Sequence, residues 1–132
     1  MSSFYSTQTF SSFSVDDIDA ARAFYGETLG MVVSTNPMGF LDIHLPQGGS
    51  IFVYAKPDHT PASFTILNFS VPDVEAAVDD LNARGVVTKI YTDPDLDTDE
   101  KGIARSGPDG GPSIAWFMDP AGNVLAVMEA MG

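Results

Sequence analysis

The 132-residue sequence predicts an α+β fold of two tandem β-α-β-β-β units, and three features carry that reading. The segment Phe13-Ser14-Val15-Asp16-Asp17-Ile18-Asp19-Ala20-Ala21 returns half a chain later as Phe69-Ser70-Val71-Pro72-Asp73-Val74-Glu75-Ala76-Ala77, with Phe, Ser, Val, Asp, Ala and Ala in common. Self-similarity on this scale marks a repeated structural unit. Each copy joins a β-prone run to a stripe of apolar residues at helical spacing, and turn-forming clusters cut the rest of each half into apolar runs of strand length.

Residues 9–15 form the first strand by their aromatic and β-branched content, with Phe13 and Val15 on one face and Phe10, Ser12 and Ser14 on the other. Asp17 is the N-cap of the helix that follows, because its carboxylate can accept from the unpaired N–H groups of a first turn. Ile18, Ala21, Phe24, Tyr25 and Leu29 make the buried stripe, and Gly30 ends the helix. Strands are expected at 31–34, 40–45 and 51–55, separated by Asn36-Pro37 and by Pro46-Gln47-Gly48-Gly49. In the second unit 65–71 is the strand and Asp73 the cap. Val74, Ala77, Val78 and Leu81 are the stripe and Gly85 the stop. Later strands are expected at 86–91, 114–118 and 124–128, the last two joined by the tight turn Asp119-Pro120-Ala121-Gly122-Asn123. The chain therefore reads as one domain, with unit one at about 7–57, a linker at 58–63 and unit two at 64–132. The polar, glycine-rich stretch 93–112 has too few apolar residues for another element and reads as a mobile loop.

Composition narrows the function. With 44% hydrophobic residues the chain can bury a core without staples, and the absence of cysteine excludes disulfides, thiolate metal sites and a cysteine nucleophile. A reducing cytoplasm is the expected location. No basic residue precedes an apolar run at the N-terminus, as a signal peptide requires, and no apolar run approaches the roughly 20 residues that span a bilayer. A formal net charge of −12 repels phosphates, so neither nucleic acid nor an anionic membrane is an expected partner. The same charge would attract a cationic ligand.

The order of elements, Phe24-Tyr25 late in the first helix, and Asp119-Pro120-Ala121-Gly122-Asn123 before the last strand together resemble the vicinal oxygen chelate superfamily, the group of glyoxalase I, bleomycin resistance proteins and extradiol dioxygenases. The resemblance implies curved mixed sheets around a shared cavity, a homodimer and, in the enzymes, a divalent metal held by His, Gln or Glu on the first and last strands of the units. The first-strand ligand lies five residues before the valine that precedes the helix, which gives Phe10 from Val15 and Ile66 from Val71. The last-strand glutamate is the third residue after the turn, here Ala126. Phe, Ile and Ala have no lone pair with which to offset the dehydration of a divalent cation. No cofactor is therefore expected, and a rebuilt metal site would have to use His44 with Asp42 or Glu129.

Other chemistries find little support. His44 alternates with Phe40 and Asp42 against Leu41, Ile43 and Leu45, which places it opposite the aliphatics as the best acid–base candidate. His59 reads as a solvated linker residue. The run Asp93, Asp95, Asp97, Asp99, Glu100 fails the calcium-loop pattern, because Thr98 and Ala104 stand where it needs glycine and glutamate, and it reads as a solvated acidic loop. No nucleophile elbow or phosphate-binding loop is present. The candidate ligand-binding residues are Phe10, Ser12, His44, Phe52, Tyr54, Ile66, Asn68, Trp116, Met118, Ala126 and Met128. Rings among them offer contact area, methionines adapt to irregular shapes, and the polar members orient a ligand. The expectation is a metal-independent protein that sequesters a hydrophobic or aromatic small molecule. The alternatives are a glyoxalase-like lyase, isomerase or dioxygenase with a displaced metal or none, and a module that recognises another protein.

Overall fold

The structure, a computed structural model, describes residues 4–92, 97–105 and 112–129. The chain divides into two compact units, Met1–His59 and Thr60–Gly132, with the division inside the predicted linker. The first unit runs β1 Ser11–Val15, α1 Ile18–Arg22, a π-helical turn Ala23–Thr28, β2 Val32–Thr35, β3 Leu41–His44 and β4 Ser50–Ala55. Its sheet has the order β1-β4-β3-β2, with β1 parallel to β4 and the other pairs antiparallel. Asp17 caps α1 as the sequence predicts, accepting from the N–H groups of Asp19 and Ala20 at 3.0 and 3.1 Å, a cap of the kind that contributes about 1 kcal/mol.

The expected α-helix does not continue to Gly30. From Ala23 the backbone widens into the π-helical turn, whose Leu29 N–H donates to the Phe24 carbonyl at 2.9 Å. Periodicity did not separate these two geometries, because both place Ala21 and Tyr25 against the sheet, and Tyr25 is fully buried. Its ring lies 5.7 Å from that of Phe13, so the Phe13 face of the sheet is the one packed on the helix. Val15, Leu41, Ile43, Ile51 and Val53 complete that layer, all buried.

The second unit runs β5 Thr65–Val71, α2 Val74–Ala83, β6 Ile103–Ala104, β7 Ile114–Met118 and β8 Val124–Glu129, in the sheet order β5-β8-β7-β6. It repeats the β-α-β-β-β order with one correction. Residues 86–91 form no strand, and the first strand after α2 is the two-residue β6, inside the stretch read as a loop. The segment 86–91 is held by other means. Thr88, buried, donates its hydroxyl to the Lys101 carbonyl at 2.7 Å and accepts from the Asn82 side-chain amide at 3.0 Å, while Lys89 Nζ donates to the Thr98 carbonyl at 3.1 Å.

Residues 97–105 hold β6 where the sequence predicts no further element, and Asp99 is hydrogen-bonded within them. Asp99 Oδ1 accepts the N–H groups of Lys101 and Ile103, both at 2.9 Å, and Oδ2 lies 2.9 Å from Arg105 Nη2. Lys101 reaches Glu75 and Asp79 on α2 at 3.3 and 2.8 Å, and Arg105 reaches Glu75 at 2.8 Å. Residues 93–96 and 106–111, the rest of the predicted loop, lie outside the described residues.

This network makes the attachment acid-sensitive. The Arg105 and Lys101 side chains hold the Glu75 carboxyl below its ordinary value. Burial pushes the Asp99 carboxyl up, but the Ile103 N–H, the Arg105 guanidinium and the Lys101 N–H outweigh it, so that group also lies below its ordinary value. A carboxylate depressed in the folded state contributes stability above its unfolded pKa and loses it as pH falls through the folded value. Exchange of the Lys101 and Ile103 amide hydrogens, corrected for intrinsic rates, is therefore expected to lose protection below about pH 4, relative to the β7–β8 amides. Equal loss across the sheet would show instead that the network does not stabilise this segment locally.

Candidate functional site

The face of the first sheet opposite α1 is set by register. Ser12 pairs with Phe52, Phe52 with Asp42 and Asp42 with Ser34, so these four form one row across β1, β4, β3 and β2. Ser14 and Tyr54 pair in the next row, and His44 pairs with Ser50 and Val32 on the same side. Phe52 is the centre of an aromatic cluster. Its ring stacks on Tyr54 at 5.9 Å and 23°, and stands steeply to Phe40 at 5.9 Å and 81° and to Phe10 at 6.5 Å and 71°. Phe10 remains 57% exposed, and the other three rings are half-buried.

Hydrogen-bonded histidines flank the cluster. His44, exposed on β3, has Nε2 2.8 Å from Ser34 Oγ. His59 is not the solvated residue expected: its Nδ1 lies 2.7 Å from Ser14 Oγ, and both residues are half-buried. The linker turn, closed by the His59 N–H donating to the Lys56 carbonyl at 3.0 Å, brings the ring there. Periodicity stops at the end of β4 and cannot report that turn. Phe40, which joins the cluster, is legible in the sequence, since it alternates with Asp42 and His44.

In the second unit, Val74, Val78 and Leu81 of α2 are buried with Leu125, Val127, Ala115 and Phe117 of the sheet. The opposite face carries Asn68, Ala126 and Trp116 in one row and Ser70, Met128 and Ile114 in the next. Ala126 is fully buried, Met118 is 44% exposed, and the Trp116 ring meets Tyr91 at 5.5 Å and 76°. The strand expected at 86–91 gives no sign of this contact, which forms because residues 86–91 lie outside the sheet. Ile66 falls where the β5–β8 register shifts between Thr65 and Leu67. Glu129 pairs with Val71, and its Oε2 accepts the Val74 N–H at 3.3 Å, which directs the carboxylate to the start of α2.

The residues present do not fit the divalent metal that the resemblance implies. Phe10, Ile66 and Ala126 bring no donor atom to the expected positions, and Glu129 is turned to the α2 N-terminus. Among the described residues no group of three or more His, Cys, Asp or Glu side chains converges as a ligand set. Surface clefts also occur away from these faces, such as one beside the π-helical turn at Arg22, Gly26, Glu27 and Met31, and another past the end of α2 at Gly85, Thr88, Lys89 and Lys101. Neither collects aromatic side chains.

Comparison with solved structures finds the same fold at low sequence identity. An antibiotic-binding protein, TnmS3, from a Streptomyces species aligns over 97% of this chain and 100% of its own, with TM-score 0.65 and 24% identity. The fosfomycin resistance protein FosX from Listeria monocytogenes aligns over 97% and 96%, with TM-score 0.69 and 14% identity. A member of the glyoxalase/bleomycin resistance protein/dioxygenase superfamily from Sphaerobacter thermophilus aligns over 92% and 97%, with TM-score 0.64 and 23% identity. Identities this low speak for the fold alone. No functionally curated protein matches the sequence. No helix among the described residues is long and apolar enough to cross a membrane. The family model of the Glyoxalase/Bleomycin resistance protein/Dioxygenase superfamily matches residues 9–127, nearly the whole chain and both repeats, and the protein belongs to that superfamily.

Proposed function

We propose that the protein is a metal-independent binder of a flat, apolar or aromatic small molecule, which it sequesters rather than transforms. The observation that carries this reading is the cluster of Phe10, Phe40, Phe52 and Tyr54 on the face opposite α1, where an enzyme of this superfamily would place metal-ligating side chains. Rings on one sheet face supply large contact area at low entropic cost, and the hydroxyls of Ser12, Ser14 and Tyr54 supply orientation. The protein of the same fold from Streptomyces binds an antibiotic.

Titration of isotopically labelled protein with 2-naphthol as probe is expected to shift resonances of Phe40, Phe52 and Tyr54. Phe52→Leu should weaken that binding about tenfold, the loss of one well-placed aromatic contact, without unfolding the protein. Unchanged affinity in a folded Phe52→Leu variant would remove this cluster from the site. A thermal-shift titration with zinc, nickel, manganese and iron(II) is expected to give no saturable stabilisation, and a saturating upward shift would overturn metal independence.

A second reading is favoured by the Ser34–His44 hydrogen bond, with Asp42 beside both: a metal-free lyase or isomerase in which His44 exchanges a proton with substrate. Turnover abolished by His44→Gln with ligand affinity retained would select it over sequestration.

A further inference from the structure

We propose that the ligand of the first unit carries a positively charged organic nitrogen, an alkylated ammonium next to an aromatic or apolar body, with Asp42 as its counter-charge. The inference rests on the reading of the Phe52 cluster as the binding site and adds the charge of what it binds. Asp42 stands directly opposite Phe52 in the antiparallel β3–β4 pair, an arrangement that brings the two Cβ atoms to about 5 Å. It is half-buried, and among the described residues it has no ion pair. The arginines and Lys101 are drawn to Asp19, Asp80, Glu75, Asp79 and Asp99 instead. None of the residues of β1, β2, β3 and β4 is Lys or Arg, and Asp42 is the only carboxylate in those strands.

A half-buried carboxylate with no ion-pair partner, opposite a ring cluster, leaves its charge available to a ligand cation. The rings suit the same guest. Phe10 and Phe40 stand at 71° and 81° to Phe52, so their π-faces look in different directions around one small region. A cation within about 6 Å of such ring centroids is attracted to their negative faces, which is how aromatic cages hold alkylated ammonium groups. The net charge of −12 acts over longer range, raising the local concentration of cations and lowering that of anions. Serines 12 and 34, which close the row at either end, are neutral and compete with neither term.

The test uses two probes of one shape, benzyltrimethylammonium and neopentylbenzene, in which carbon replaces the charged nitrogen. Both are titrated into the full chain and followed by chemical-shift changes at Phe40, Phe52 and Tyr54. At low salt the ammonium probe is expected to bind roughly tenfold tighter than its neutral twin, an advantage that shrinks as salt rises. Asp42→Asn should lower the affinity of the ammonium probe about fivefold and leave the neutral probe within a factor of two. Equal binding of the two probes by the parent, or an ammonium affinity indifferent to Asp42→Asn, would overturn the charge assignment while leaving the aromatic site intact. Binding of neither probe would overturn both. Should Asp42→Asn fail to fold, the salt dependence of the two probes on the parent decides alone.

Discussion

Gly102→Ala is expected to destabilise the second unit by roughly 2–5 kcal/mol, the sum of a left-handed backbone penalty and an overpacking term. Gly102 has φ +85, where a Cβ is strained against its own carbonyl even in open space. Here the space is also taken. A Cβ at this position would stand 1.9 Å from the Thr88 carbonyl oxygen, 2.6 Å from its carbonyl carbon and 2.9 Å from Lys89 Cα. All three are backbone atoms, so no rotamer change relieves the clash, and the strand β6 would have to part from residues 86–91. Gly85 supplies the control. It has φ +86 and nothing within 4 Å of its added Cβ, so Gly85→Ala should cost only about 1 kcal/mol. Urea unfolding followed through Trp116, the only tryptophan, measures both. If the two substitutions cost the same, the close approach of Gly102 to Thr88 is not a tight contact in solution.

That glycine also shows where sequence reading reached its limit. Gly102 counted as one of several signs of a loop, whereas in the structure its missing side chain is what lets β6 pass against the backbone of Thr88. A two-residue strand has no period to detect, and the hydrogen bonds that replace a strand at 86–91 run through side chains from distant positions. Elements long enough to repeat a pattern were legible. Both caps, Asp17 and Asp73, accept from first-turn N–H groups, and alternation in β1 and β3 separates Ser12 from Phe13 and Val15, and His44 from Leu41 and Ile43. Features made by chain reversal were out of reach. His59 meets Ser14 only because the linker turns back, and Tyr91 meets Trp116 only because residues 86–91 are not in the sheet.

The same division explains what the sequence said about chemistry. Loss of donor atoms at Phe10, Ile66 and Ala126 needs only residue identity and a family spacing, so it was readable without coordinates. The pairing of Asp42 with Phe52 depends on register between β3 and β4, which the glycine-rich turn at 46–49 sets through the Leu45 N–H bond to the Gly49 carbonyl at 3.1 Å. A slip of one residue there would exchange Asp42 for Leu41 or Ile43 on the aromatic face. The charge preference of the site is in that sense a property of a turn.

The turn that precedes β8 has the corresponding position in the second unit, and Asp119→Ala is expected to cost roughly 3 kcal/mol there, by stranding buried donors. Asp119 is 5% exposed and Asn123 3%. Asp119 Oδ1 accepts the N–H groups of Ala121 and Asn123, both at 2.9 Å, and Oδ2 accepts the Asn123 side-chain amide at 3.0 Å. Alanine removes both acceptor oxygens and with them three hydrogen bonds, and a buried donor that loses its partner costs about 1–3 kcal/mol. The three share one side chain, so their losses do not simply add. Asp119→Asn keeps an oxygen for the two backbone N–H groups but turns an amide toward the Asn123 amide, and should lose about half as much. Denaturant melts of the two variants measure this ordering. A loss below about 1 kcal/mol for Asp119→Ala would mean that water replaces the carboxylate and that the turn does not depend on it. With the expected loss, the hydrogen-exchange protection of β7 and β8 should fall together, because the Asp119 N–H bond to the Asn123 carbonyl at 3.0 Å closes the hairpin that sets Trp116 opposite Ala126. Asp119 would then be the residue on which the register of the second aromatic face rests.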